Sequence, residues 1–199
     1  CDVYRAGDGV HRQWLDYRLQ HASRLVRSKV RANPFHRYVC KVERSLFEHP
    51  RLRAVICNSR MVLDDVTRHF RVEPAKLHVI YNGVDLEHFH PGQRSALRAQ
   101  ARNTFGCSDD DIVFAFVGSG FERKGLACAI DALELAADSR MRLVVAGRDR
   151  DAARFADRAR AAGVADRVAL LGGVEDVRPV YAAADCFILP TLYDPFPNA

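Results

Sequence analysis

VFAFVGSGFERKGLACAIDALELA, residues 113–136, joins two patterns across one short turn. Val113 to Val117 is an unbroken apolar run, which predicts a buried strand. Leu126, Ile130, Leu133 and Ala137 recur at helical spacing, which predicts an amphipathic helix over 124–138. Gly118, Ser119 and Gly120 make the turn, and Arg123 and Lys124 follow. A helix start carries partial positive charge and unbonded N–H groups, so two cations there are unfavourable alone. They become favourable if an anion shares the site. Gly118 and Gly120 let a ligand approach the backbone, so Arg123 and Lys124 are candidates for a phosphate clamp.

The same rhythm continues down the chain. Strands are expected at 142–146, 167–171 and 186–190, and helices at 151–162 and 176–183. Strands alternating with helices imply a parallel α/β sheet covered on both faces. Such sheets bind ligands at the carboxyl ends of their strands, where this turn stands. Upstream, 2–4 reads as a strand end and 11–48 as helix broken near Asn33-Pro34. A strand at 53–59 ends at an N-cap, Asn58 or Ser59, followed by a short helix over 60–70. A strand at 76–82 leads to a turn at Asn82-Gly83 and a linker over 84–93.

Composition narrows the class. The chain has 199 residues, 48% hydrophobic and 28% charged, which fits a globular protein. No apolar run approaches the roughly 18 residues of a membrane span. The chain lacks an initiator Met and stops at LYDPFPNA, so a piece of a longer protein is expected. The six cysteines show neither C-x-x-C nor metal-ligand spacing. Cys57, Cys128 and Cys186 lie in apolar runs and are expected as small buried hydrophobes in a reducing compartment. Residues 1–55 hold twelve Lys/Arg against five acids, more positive than the whole chain at +5. Such a segment suits an anionic lipid surface or a phosphorylated acceptor, or is a solvated helical face.

Other chemistries lack their residues. There is no Walker loop, no G-x-G-x-x-G, no G-x-S-x-G and no H-E-x-x-H. Asp149-Arg150-Asp151 could be a metal-binding pair, but it opens a helix and reads as acids suited to the dipole. No Tyr has a Lys four residues later, against a nucleotide-sugar epimerase. Gly118 and Gly172 stand where a receiver-like signalling domain needs acids. A non-catalytic nucleotide- or nucleic-acid-binding module is the remaining alternative, and Trp14, Tyr17, Phe35 and Tyr38 give it few interleaved aromatics.

Three ordered segments carry a resemblance. VICNSRMVLDDVTRHFRVEPAKLHVIYNGVDLEHFHP (55–91) resembles the joining segment of family-4, GT-B-fold glycosyltransferases. Its matching positions are Ser59, Asp65-Val66, Val72, Pro74, Lys76, Val79-Ile80, Asn82-Gly83-Val84-Asp85, Phe89 and Pro91. VGSGFERKG (117–125) resembles that family's donor-diphosphate loop, and AADCFILPTLYDPFPNA (183–199) resembles the opening of its E-x7-E motif. The loop's form, with DVYRAGDG at the front, is most similar to the lipopolysaccharide core glucosyltransferase branch.

The resemblance implies an acceptor-domain portion over 1–88 and a Rossmann-like donor domain over 89–199. It implies a retaining hexosyltransferase that uses a nucleotide-diphosphate sugar, UDP donors being commonest in the resembling branch and glucose the expected hexose, and a cell-envelope glycan acceptor. No metal or other cofactor is expected, and no nucleic acid. A cytoplasmic location is implied, at the inner membrane face. Arg123 and Lys124 would stabilise the departing diphosphate, with Gly118, Ser119 and Gly120 in the donor loop. Gly173 and Val174 would lie along the base. Asp194 falls on the first acid of E-x7-E, with Phe196, Pro197 and Asn198 beside it. Asp8 would be an active-centre residue on the acceptor side. Many relatives carry Gly-Arg where this chain has Gly118-Ser119, and Asp194 is one methylene shorter than the usual Glu. The second acid would fall three residues past Ala199, so these 199 residues alone are expected to be inactive.

Overall fold

The computed structural model describes residues 1–20, 22–136 and 138–198. The chain forms two compact units, Cys1–Gly83 with Leu192–Asn198, and Val84–Thr191. The dividing point falls at 83/84 beside the expected 88/89, and residues 192–198 stand with the first unit.

The first unit holds a three-stranded parallel sheet, β1 (Val3–Ala6), β2 (Ala54–Cys57) and β3 (Leu77–Val79), with β2 central. Its helices are α1 (His11–Gln20), α2 (Arg24–Ala32), α3 (Pro34–Phe47) and α4 (Arg60–His69). The helical region breaks at Asn33-Pro34, as expected, and again before Ser23, whose hydroxyl caps α2. Asn33 caps α3 through its side chain, and Pro34 occupies the position where a missing N–H costs nothing. Ser59, not Asn58, caps α4 by accepting from Val62 N. Ala6, Val10, Phe47, Val55, Cys57, Val62 and Val66 close the core between sheet and helices.

The second unit is a parallel sheet in the order β6-β5-β4-β7. Its strands are β4 (Ile112–Val117), β5 (Met141–Ala146), β6 (Val168–Gly172) and β7 (Cys186–Phe187). The helices between them are α6 (Phe121–Lys124), α7 (Leu126–Leu135), α8 (Ala152–Ala161) and α9 (Arg178–Ala183), and α5 (Arg94–Thr104) precedes the sheet. One face is packed by Leu126, Ile130 and Leu133 of α7 with Phe155 of α8, and the other by Val180 of α9. The order reverses between β4 and β7, which makes the carboxyl end of β4 a topological switch point.

Four expectations change. The helix over 124–138 is split: α6 is a single turn, Gly125 takes φ +80°, and α7 starts at Leu126. A Cβ on Gly125 would lie 2.0 Å from the Pro190 carbonyl oxygen, so only glycine allows this approach. Ala137 lies outside the described residues. The strand over 186–190 is only two residues long. Cys57 is buried, but Cys128 and Cys186 are exposed, on the outer face of α7 and on the edge strand. Finally, α5 follows the linker where no helix was expected. It docks through charge: Arg98 and Arg102 donate to the carbonyls of Ala182, Ala183 and Ala184 at the end of α9.

Candidate functional site

Three neighbouring strands of the second unit end in glycine, at Gly118, Gly147 and Gly172-Gly173. Gly118 N donates to Ala146 O, and Gly147 N to Gly172 O, so the strand ends are tied edge to edge. A Cβ on Gly118 (φ +141°) would lie 2.7 Å from Lys124 Cδ and Cε. The Lys124 stem therefore packs on the bare Gly118 backbone and is itself buried. Arg123 is exposed on the same turn, and its carbonyl accepts from Thr191 Oγ1 at 3.1 Å. Ser119 and Gly120 are exposed, and Gly120 takes φ +77°.

The cations do not stand in the first turn of the long helix. They close the single turn of α6, and the N-cap of α7 is Gly125, which brings no side-chain acceptor. The acid that a helix start calls for arrives from the next strand. Asp149 Oδ2 accepts from Phe121 N at 2.7 Å, and its Oδ1 accepts from Asp151 N at 2.8 Å. Asp149 thus caps α6 and also bonds Asp151, the N-cap residue of its own helix α8, where its place in the sequence puts it. Ser119 Oγ accepts from Arg148 N at 3.1 Å. Gly173 lies under the Arg148 side chain, and Val174 is partly exposed beside it.

The remaining candidates belong to the first unit. Asp8 is exposed in the turn after β1. That turn is held from below: Asn58 Nδ2 donates to Gly7 O at 2.7 Å, and Asn58 Oδ1 is buried with no hydrogen-bond partner among the described residues. Tyr193, next to Asp194, is buried, donates to Asp65 Oδ2 at 2.8 Å and accepts from Val10 N at 3.0 Å. Burial first, then the Asp65 carboxylate, pushes the Tyr193 phenol well above its ordinary range. A Cβ on Gly9 would lie 2.4 Å from this hydroxyl and 2.5 Å from Pro195, so 192–198 lies directly on the Gly7–Gly9 turn. Asp194 and Asp8 are therefore brought to neighbouring segments of one unit. Phe196 faces the Tyr81 ring at 5.7 Å, Pro197 follows it, and Asn198 Oδ1 accepts from Asn82 Nδ2 at 2.6 Å. Among the described residues no group of three or more His, Cys, Asp or Glu could hold a metal ion.

Residues 9–88 match the family described as Glycosyltransferase Family 4, and 111–199 match Glycosyl transferases group 1. The chain belongs to the family-4, group-1 glycosyltransferases. It is 27% identical over 158 residues to the lipopolysaccharide glucosyltransferase WaaG of Escherichia coli, covering 78% of this chain and 42% of that protein. It is 33% identical over 155 residues to a D-inositol 3-phosphate glycosyltransferase of Actinosynnema mirum, covering 71% of this chain and 36% of the other. The crystal structure of WaaG superposes with a TM-score of 0.79 at 26% identity, over 96% of this chain and 50% of that one. Anabaena HepE, solved with UDP-glucose, shares the fold at a TM-score of 0.69 and 22% identity, over 83% and 46%. The chain thus spans about half or less of the length of these glycosyltransferases. The α/β, GT-B-type fold expected from the sequence is the fold found, with parallel sheets and flanking helices in both units.

Asp149, Arg148 and Tyr193 are functional candidates that sequence reasoning passed over. The DRD stretch was visible, but its acid serves a turn 28 residues upstream. Tyr193 lies inside the quoted motif, yet no local pattern links it to Asp65, which is 128 residues away.

Proposed function

We propose that this chain is the donor-binding portion, with part of the acceptor domain, of a retaining, metal-independent hexosyltransferase. It moves glucose from a nucleotide-diphosphate sugar, UDP-glucose first, to a cell-envelope glycan such as lipopolysaccharide core. The observation that carries this reading is the turn after β4. It stands at the topological switch point, is floored by glycine, and is walled by Arg123 and Lys124. A departing diphosphate gains negative charge in the transition state, and cations fixed beside it lower the barrier. Lys124 is fixed because its stem is packed, so its ammonium loses little freedom on binding. Asp194 is assigned to the donor sugar's hydroxyls, and Asp8 to the acceptor side. Within the second unit, Ser119, Gly120, Gly173 and Val174 complete the donor contacts. The likeness to WaaG supports the glucose and lipopolysaccharide assignments.

The test is calorimetric binding of UDP, GDP and ADP to the full-length protein, with chelator present. One nucleotide should bind, and the Arg123→Ala/Lys124→Ala variant should lose about a hundredfold in affinity, the scale of two charge-assisted contacts. Retention of full affinity in that variant would sink the clamp.

The acceptor side is assigned to the cytoplasmic membrane face. No helix among the described residues is long and apolar enough to cross a membrane. Leu25, Val26, Phe35, Tyr38 and Val42 are exposed on α2 and α3, among Arg24, Arg27, Arg37 and Lys41. Apolar side chains set among cations suit an anionic interface. Binding to phosphatidylcholine vesicles should rise as phosphatidylglycerol is added and fall with salt. Binding indifferent to anionic lipid would count against the assignment.

A further inference from the structure

The proposed clamp and sugar contacts leave the nucleobase without a side chain to read it. Arg148 stands at the carboxyl end of β5, between the turn after β4 and the Gly172-Gly173 pair that ends β6. Its N–H donates to Ser119 Oγ, which pins its backbone beside that turn. Its side chain runs the other way. A Cβ on Gly173 would lie 2.2 Å from Arg148 Nε and 2.7 Å from its Cγ, so the guanidinium stem lies across the bare Gly173 backbone. Arg148 is exposed, and no ion pair among the described residues includes it.

In a doubly wound sheet with its diphosphate at the first strand's turn, the nucleoside extends over the ends of the second and third strands. Here those strands are β5 and β6, and Arg148 is the cation between them. We propose that Arg148 contacts the donor's nucleobase and selects among bases, an inference that rests on the donor-site reading above. A guanidinium offers only hydrogen-bond donors. Uracil and guanine turn a carbonyl oxygen toward such a group, whereas adenine turns an amino group at the matching position. Arg148 therefore favours uracil or guanine over adenine, and its flat face can also stack on the base. Gly173 serves the same end by leaving room for the arginine stem.

Affinities of the full-length protein for UDP, GDP, ADP and inorganic pyrophosphate test this, in the wild type, Arg148→Ala and Gly173→Ala. Gly173→Ala pushes the arginine aside without deleting it, and neither site lies in a packed core. The wild type should bind UDP or GDP better than ADP. Both variants should lose about tenfold for the preferred nucleotide, within the range for one lost base contact. Their margin over ADP should shrink, and pyrophosphate competition should stay unchanged because pyrophosphate has no base. The inference is overturned if the variants keep the wild-type preference, if ADP binds best, or if pyrophosphate weakens in step with the nucleotide. A wild type that binds neither nucleotide nor pyrophosphate would overturn the donor reading itself, and this inference with it.

Discussion

Asp149 shows how one carboxylate can set a turn it does not belong to. The sequence places Arg123 and Lys124 near a helix start with no acid of the right reach, because Glu122 points to Arg154 at 3.1 Å. Asp149 supplies the acceptor across the strand ends, on Phe121 N. Replacing it with Ala leaves that N–H without its carboxylate and should cost about 1 kcal/mol, the usual worth of a helix cap. Asp149→Asn keeps an acceptor for only one of the two N–H groups, those of Phe121 and Asp151, and should cost about half as much. Urea denaturation of the two variants checks this. If Asp149→Ala were as stable as wild type, the carboxylate would not be holding the turn.

The elements show which parts of the fold are legible in the sequence. β4 spans Ile112–Val117 as expected, because a strand buried on both faces must be apolar throughout. The break at Asn33-Pro34 and the cap at Ser59 are equally local, since each rests on one residue's own chemistry. What stays hidden is carried by long-range polar contacts. α1 has no acid in its first turn, and Glu43 of α3 fills the place by accepting from His11 N at 2.6 Å. Burial outweighs those hydrogen bonds and raises the Glu43 carboxyl above its ordinary range. α5 escapes periodicity for a similar reason. RSALRAQARNT has a narrow apolar stripe, and arginines bonded to carbonyls make its contacts with α9. The split of α6 from α7 turns on Gly125, whose need for φ +80° arises only when Pro190 packs against it. Of the candidate site, the glycine turn and its cations were legible, and the residues that brace them were not.

For the molecule as a whole, charge decides how it meets acid. The second unit holds a buried arginine, Arg102, that is 2% exposed. It donates to Ser108 O at 2.7 Å and to Asp109 O and Ala183 O at 3.1 Å, and it pairs with Asp185 Oδ2 at 2.7 Å. Asp185 also accepts from Val113 N, the first bond that ties the approach to β7 onto β4, and from Arg98. Burial alone would raise the Asp185 carboxyl. The Val113 and Arg98 hydrogen bonds and the Arg102 and Arg98 charges outweigh it and hold the group below its ordinary range. A carboxylate depressed in the folded state binds fewer protons there than when unfolded. Its contribution is therefore present above the unfolded value, about 3.9, and is lost as pH falls through the folded one. Asp111, pinned by Ser108 and Arg142 against the cost of burial, shifts the same way. These two carboxylates should make stability fall steeply below about pH 4, after a shallower decline that begins below about pH 6.5, where His11, His36 and His69, each held down mainly by burial, resist protonation in the folded state. Arg102→Met keeps an apolar stem but removes the buried guanidinium's bonds to Asp185 and to the carbonyls of Ser108, Asp109 and Ala183, several of which keep other donors, and should cost about 2 kcal/mol at pH 7. Because it removes one of the charges that depress Asp185, beside the Val113 and Arg98 hydrogen bonds that remain, the variant should also lose somewhat less than the wild type between pH 5 and pH 3. Thermal unfolding across that range checks both parts. A variant that loses stability at neutral pH yet keeps the wild-type slope in acid would place the acid sensitivity in other carboxylates.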